Sequence, residues 1–205
     1  GLPIPTITHA DSAQAFVDAR IAEGSDFIKI VYDDGGAFAL QWPTIERPVL
    51  RALIAAARRR DVLAVVHVST ARAAREASED GADALVHLFV DAPGDAAFVR
   101  LVKSRDAFII PTLTVLRSIT GVAGAGDLVA DTLFAPYLRP AARAGLAQAF
   151  PSGPGRSYDH AKQTVAALHA AGVPILAGTD APNPGTAHGV ALHRELELLV
   201  DAGLT

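Results

Sequence analysis

Apolar and polar positions fall into blocks along this chain, and the blocks have two distinct periods. Ala13, Phe16, Val17 and Ile21 recur at helical spacing behind Asp11 and Ser12, either of which suits a helix N-cap, and Gly24 ends the pattern. Residues 26–32 then run as a strand, and Asp33-Asp34-Gly35-Gly36 reads as a turn. A second helix starts near Pro48, with Val49, Leu50, Leu53, Ile54 and Ala57 inward and Arg51, Arg58 and Arg59 outward. Two further strand-like runs follow, at 62–68, apolar but for His67, and at 82–89, interrupted only by Asp83 and His87. A short helix at 71–79, stopped by Gly81, separates them. A helix at 95–103 leads to the run 107–110, and a helix at 159–171, stopped by Gly172, leads to the run 173–177. The last helix carries Leu192, Leu196, Leu199 and Val200 on one face and Arg194, Glu195, Glu197 and Asp201 on the other.

One unit therefore recurs: a helix ends, often at Gly, a short polar step follows, and an apolar strand runs to a polar side chain. Strands without polar alternation are expected to be buried on both faces, which indicates a parallel sheet with crossover helices. The pattern predicts an α/β fold with five such strands in a single domain spanning residues 1–205. The span 116–158 breaks the rhythm with many Gly and Pro and reads as a long, partly helical insertion of the kind that often covers a site. Five parallel strands fit either a doubly wound sheet or part of a (β/α)8 barrel, and in both the functional groups gather at the C-terminal strand ends. No Gly-rich phosphate loop follows a strand, which disfavours a nucleotide-binding sheet.

Composition narrows the partners. The chain has 205 residues, half of them hydrophobic, and a net charge of -4 with both signs interspersed, so nucleic acid is not an expected partner. No apolar run is long enough to span a membrane. Cysteine is absent, which excludes thiolate metal sites and fits a reducing, cytoplasmic setting. Methionine is also absent and residue 1 is Gly, so the chain reads as an internal fragment of a longer protein.

The chemistry sits where the strands end. Lys29, His67, His87 and Asp180 each terminate or interrupt an apolar run, and Asp180 is followed at once by the turn residues Pro182, Pro184 and Gly185. A carboxylate at the mouth of an apolar strand is costly unless it is paired. Two neutral imidazoles and a carboxylate in one pocket suit Zn²⁺ or a similar divalent ion. Tyr32 and His188 stand close by in sequence and are candidate substrate contacts. Thr112 and Thr114 are placed to line the mouth, and one of Arg117, Arg139, Arg143 and Arg156 is placed to pair with a substrate carboxylate.

Residues 27–30, 66–68, 85–88 and 176–180, together with the ending from His188-Gly189 to Leu204-Thr205, resemble successive strands of the amidohydrolase superfamily. The similarity is to the branch with imidazolonepropionase-like enzymes and metal-dependent Xaa-Pro or Xaa-Arg dipeptidases. It implies a partial (β/α)8 TIM barrel comprising strands four to eight. By this resemblance Lys29 would be carboxylated and bridge two metals, His67 and His87 would bind the more exposed one, and Asp180 would bind the buried one. A hydroxide activated by the metals would attack an amide, peptide or cyclic-amide carbonyl of a small-molecule substrate, with Asp180 shuttling the proton.

The chain departs from the family in one respect. His9 has no histidine two residues away, so the His-x-His pair of the family's first strand is missing. The expectation is a parent with two ions and a fragment that holds at most one and is inactive alone. Open strand edges would favour self-association into a homo-oligomer. The competing expectation is a non-catalytic partial barrel, a binding or assembly module without metal.

Overall fold

The computed structural model describes residues 5–38, 40–122, 125–151 and 153–205, so the first four residues of the Pro-rich lead-in lie outside it. Four strands, β1 (Phe27–Val31), β2 (Leu63–His67), β3 (Ala84–Val86) and β4 (Phe108–Ile110), form one parallel sheet in chain order. Between them lie α2 (Arg47–Arg59), α3 (Ala71–Glu79) and α4 (Ala96–Ser104), and α1 (Ala13–Ala22) precedes the first strand. Sequential parallel neighbours joined by helices are the βαβ arrangement of a (β/α)8 barrel, and four strands are part of one.

The expected fifth strand is reduced. Residues 173–177 contribute a single parallel bridge, Ile109 to Ile175, closed by Ile109 N donating to Pro174 O (3.0 Å) and Leu176 N donating to Ile109 O (2.8 Å). Pro174 has no N–H to donate, which limits the ladder.

Local chemistry sets the helix ends. Thr70 Oγ1 accepts from Ala73 N (3.2 Å) at the start of α3, and Asp95 Oδ1 accepts from Phe98 N (2.7 Å) at the start of α4. Gly24 and Gly81 follow their helices at φ 95° and 91°, a left-handed turn that returns the chain toward the sheet.

The two faces of the sheet differ. Ile28, Ile30, Ala64, Val66, Leu85 and Ile109 point to the helices and are buried with Leu50, Leu53 and Ile54 of α2. Full burial of each such large side chain is worth about 1.5–3 kcal/mol. On the other face, only the centre closes, around Val65, Ala84 and Val86. Phe27, Val31 and Leu63 remain 49 %, 49 % and 47 % exposed, so the strands are not buried on both faces as their composition suggests. In a closed barrel that inner face is covered by strands from across the barrel, and four strands cannot curl far enough to cover it themselves.

The insertion starts with a packed element. Helix α5 (Leu113–Ile119) follows β4 directly and is almost wholly buried; beyond it come short 3₁₀ turns and α6 (Pro140–Leu146). Helices α7 (Tyr158–Ala170) and α8 (Val190–Asp201) close the fold. The face of α8 expected inward is turned out: Leu192, Leu196 and Val200 are exposed, while Ala191, Glu195, Leu198 and Leu199 are buried. Packing against α5 decides this orientation, because Glu195 there meets the free backbone donors at the start of α5. Among the described residues no helix is long and apolar enough to cross a membrane.

Candidate functional site

The strand register sets the heights of the site residues. Val31, His67 and Val86 lie level across β1, β2 and β3, and Lys29 pairs with Val65, two residues deeper. Lys29 therefore sits within its strand rather than at its end, and it is not among the described residues that line the cavity of the other three. His87 follows β3 directly, and Asp180 follows the bridged segment at Ile175.

These elements bring His67, His87 and Asp180 together. The His67 and His87 rings meet edge to face with centroids 4.7 Å apart, and His87 Nε2 is 3.7 Å from Asp180 Oδ2. All three line one cavity of about 640 Å³, within the usual size range for small-molecule sites. Lys29 acts on the group electrostatically: its positive charge opposes protonation of His87 and favours the ionised form of Asp180.

Each imidazole is held by a second side chain. His87 Nδ1 lies 2.7 Å from Thr112 Oγ1. His67 Nε2 lies 3.1 Å from Asp33 Oδ2, and Asp33 Oδ1 accepts from Ser69 Oγ (2.6 Å) and Gly35 N (2.9 Å). Burial works against ionisation of Asp33, but the hydrogen bonds from His67, Ser69 and Gly35 outweigh it and hold the carboxyl below its ordinary range. An ionised Asp33 accepts, so His67 Nε2 carries the shared hydrogen.

Burial dominates the other titrations. It drives His87 down to about 3, helped by the charges of His67 and Lys29 and opposed by Asp33, so this ring is neutral in ordinary buffers. It pushes Asp180 up, against the pull of His67 and Lys29, and it pushes Lys29 down, against the pull of Asp180. Asn183 Nδ2 donates to both the main-chain oxygen (2.7 Å) and Oδ2 (2.8 Å) of Asp180.

His87, Thr112 and Asp180 share a further property. Their φ angles are 21°, 53° and 52°, in the left-handed region that side chains disfavour, and all three follow the C-terminal ends of neighbouring strands. Such strain costs of order 1–3 kcal/mol per residue and collects at functional sites.

The other expected contacts lie elsewhere. Tyr32 is buried among the helices and donates to Glu76 Oε2 (2.5 Å), and His188 is exposed; neither is among the described residues lining the cavity. Thr114 Oγ1 donates to Glu195 Oε2 (2.8 Å) rather than facing the mouth. His193 lies against the Phe134 ring at 4.7 Å. Arg143 is spent on the backbone carbonyls of Leu138, Val129 and Ala135, whereas Arg156 lines the cavity. Sequence reasoning missed Asp33, although a carboxylate four residues past Lys29 on the same strand exit was a usable signal. It also missed Phe38, Trp42 and Phe150, which form an aromatic wall of the cavity.

Among the described residues no group of three or more His, Asp or Glu side chains is placed so that it could hold a metal ion. No family model and no curated protein matches the chain. Solved structures do. A Xaa-Pro dipeptidase with bound methionine in its active site is similar over 100 % of this chain and 46 % of its own, with 22 % identity and a TM-score of 0.64. A putative prolidase from Bifidobacterium longum is similar over 100 % and 47 %, with 21 % identity and a TM-score of 0.68. The ochratoxinase of A. niger is similar over 98 % and 40 %, with 19 % identity and a TM-score of 0.66. The chain thus shares the fold of the matched part of these structures and spans less than half of their length.

Proposed function

We propose that the cavity is the metal site of a hydrolase that cleaves C–N bonds of small molecules. The observation that carries this reading is the convergence of His67, His87 and Asp180 on one mouth, with His87 Nε2 and Asp180 Oδ2 3.7 Å apart. Two donors on one tetrahedral zinc, each at about 2.1 Å, stand roughly 3.4 Å apart, so this gap fits an ion between them better than a direct hydrogen bond. The imidazoles fit as well. His67 offers Nδ1 while Asp33 holds Nε2, and His87 offers Nε2 while Thr112 holds Nδ1. Lys29 joins this set only if its amine is carboxylated, and burial lowers its pKa in the direction that such a reaction needs.

A bound divalent ion would lower the pKa of a water and polarise the scissile carbonyl. The chain supplies the rest. Asp33 and Thr112 fix the two rings, and Asp180 would take the proton of the attacking water through its other carboxylate oxygen, Oδ1, and hand it to the leaving nitrogen. Asn183 keeps the carboxylate oriented for both steps.

Zinc titration of the metal-free chain tests this. At most one ion per chain is expected, lost on His87→Ala, and the intact mass is expected to show one added CO₂ on Lys29 in bicarbonate. Two tightly held ions, or one unaffected by His87→Ala, would contradict the assignment. The open inner face of the sheet favours a second reading, a non-catalytic assembly module, which would bind no zinc and self-associate.

A further inference from the structure

The insertion has a small core of its own, apart from the core under the sheet. Ala125, Leu128 and Leu146 are buried in it, and Ala187 and Val190, from the return of the chain out of the Asp180 turn into α8, complete it. Val129, Phe134, Leu138 and Ala142 pack around this cluster. Arg143 ties its turns together by donating to the carbonyls of Val129, Ala135 and Leu138. Because these side chains stand outside the main core, one of them can be truncated without cutting into the packing of the sheet.

Gly185 joins the small core to the site. Its N–H donates to Gly145 O (2.9 Å) and its carbonyl accepts from Ala125 N (3.0 Å), so both of its backbone groups are spent on the insertion. Its φ is 80°, and a Cβ would stand 2.7 Å from Ser118 Oγ, so only glycine fits this contact. One residue on, Thr186 donates from N (2.9 Å) and from Oγ1 (2.8 Å) to Asn183 O. Asn183 Nδ2 in turn donates to Asp180 O (2.7 Å) and Oδ2 (2.8 Å). Hydrogen bonds and one peptide link thus lead from the insertion to the carboxylate. Asp180 stands at φ 52°, a strained conformation that persists only where the surroundings over-determine it, and the bonds through Gly185, Thr186 and Asn183 supply that constraint.

We infer that the insertion is a positioning element: Leu146 and its neighbours, which are not among the described residues lining the cavity, set the place of Asp180 through Gly185 and Asn183. The bearing of this link on an ion rests on the reading of the cavity as a metal site. The link itself, from Leu146 to the Gly185 amide, is read without metal.

The experiment uses the 205-residue chain. Residue-resolved amide hydrogen exchange is measured without metal for the parent, for Leu146→Ala and for Leu146→Met, which refills the space. Leu146→Ala is expected to speed exchange of the Gly185 amide about tenfold or more while the amides of β1 and β2 stay within about twofold of the parent, and Leu146→Met is expected to restore the parent rate. Where Leu146→Ala does not fold, the smaller truncation Leu146→Val is read in the same way. With zinc, Leu146→Ala is expected to weaken binding about tenfold in the parent chain and to have no effect in an Asp180→Ala background, because the side chain through which it acts is gone. A leucine with a merely structural role would weaken both backgrounds alike. An unchanged Gly185 amide, faster exchange of Gly185 and the sheet together, or an equal loss of zinc affinity with and without Asp180 overturns the inference. The exchange arm decides the link whether or not zinc binds. A chain that shows the Gly185 effect but takes up no zinc overturns the metal-site reading and leaves the link between the insertion and the Asp180 turn standing.

Discussion

His87 Nδ1 and Thr112 Oγ1 are 2.7 Å apart, and this bond takes the threonine hydroxyl away from the helix that it precedes. Thr112 is the N-cap residue of α5, yet its side chain caps nothing. The free donors at the start of α5 are satisfied from another helix: Glu195 accepts from Leu113 N (2.9 Å) and Thr114 N (2.7 Å). Orientation of a site imidazole and capping of a buried helix are thus divided between two residues 83 positions apart, as their numbers 112 and 195 show.

Thr112→Val keeps the shape and removes the hydroxyl. Zinc affinity is expected to fall by about 10- to 100-fold, as for loss of a partner that orients a metal-binding histidine. The stability cost is expected to be about 1 kcal/mol. Thr112→Ser is expected to restore binding. Zinc titration alongside urea denaturation checks both, and unchanged affinity in Thr112→Val would show that the bond does not orient His87.

Asp33→Asn leaves an acceptor for Ser69 and Gly35 but removes the charge facing His67. A similar loss of about 10- to 100-fold in zinc affinity is expected, with the far-ultraviolet circular dichroism of the folded chain preserved. Because the His67 and His87 rings touch and would share one ion, the double variant Asp33→Asn/Thr112→Val is expected to depart from the product of the two factors.

Glu195 gives a pH dependence. Burial pushes this carboxyl up from an ordinary value of 4.5 to about 7, against the hydrogen bonds from Thr114 and Leu113. The folded state therefore holds a proton that the unfolded state releases. Its contribution to stability is present below pH 4.5 and is lost as pH rises through 7, a change of about 3 kcal/mol in total. His87, driven down to about 3, acts in the opposite sense below its ordinary value of 6.5. The difference between the parent chain and Glu195→Gln isolates the glutamate. Denaturation at pH 5 and pH 8 is expected to show the variant gaining relative to the parent as pH rises, and a difference independent of pH would contradict the shift.

The uncovered inner face predicts association. Phe27, Val31 and Leu63 lie beside the free edge of β1, and Leu192, Leu196 and Val200 form a second exposed apolar row on α8. Light scattering is expected to give a mass above the 21.3 kDa of one chain, reduced toward it by Val31→Lys with Leu63→Lys. A monodisperse monomer of the unsubstituted chain would count against an adhesive inner face.

Much of the fold could be read from periodicity. The bounds expected for α3 coincide with those observed, and β1 and β2 fall within one residue of expectation at each end. Such elements follow from local rules: apolar spacing, caps and glycine stops. Local rules failed where the outcome depends on what an element packs against. The run 173–177 is as apolar as its neighbours but forms one bridge, and α8 buries a glutamate in place of three large hydrophobics.

The sequence by itself determined the alternation of helix and parallel strand and the four polar residues that punctuate it, because both are written in short-range pattern. Only the tertiary structure decided that Asp33 and Thr112 hold the two histidines, that Lys29 stands two residues below them, and that Arg156 rather than Arg143 lines the cavity. The reason is physical. These relationships join side chains from separate strands and loops, and their distances are set by strand register and by the competition of each polar group for a nearby partner, neither of which spacing along the chain records.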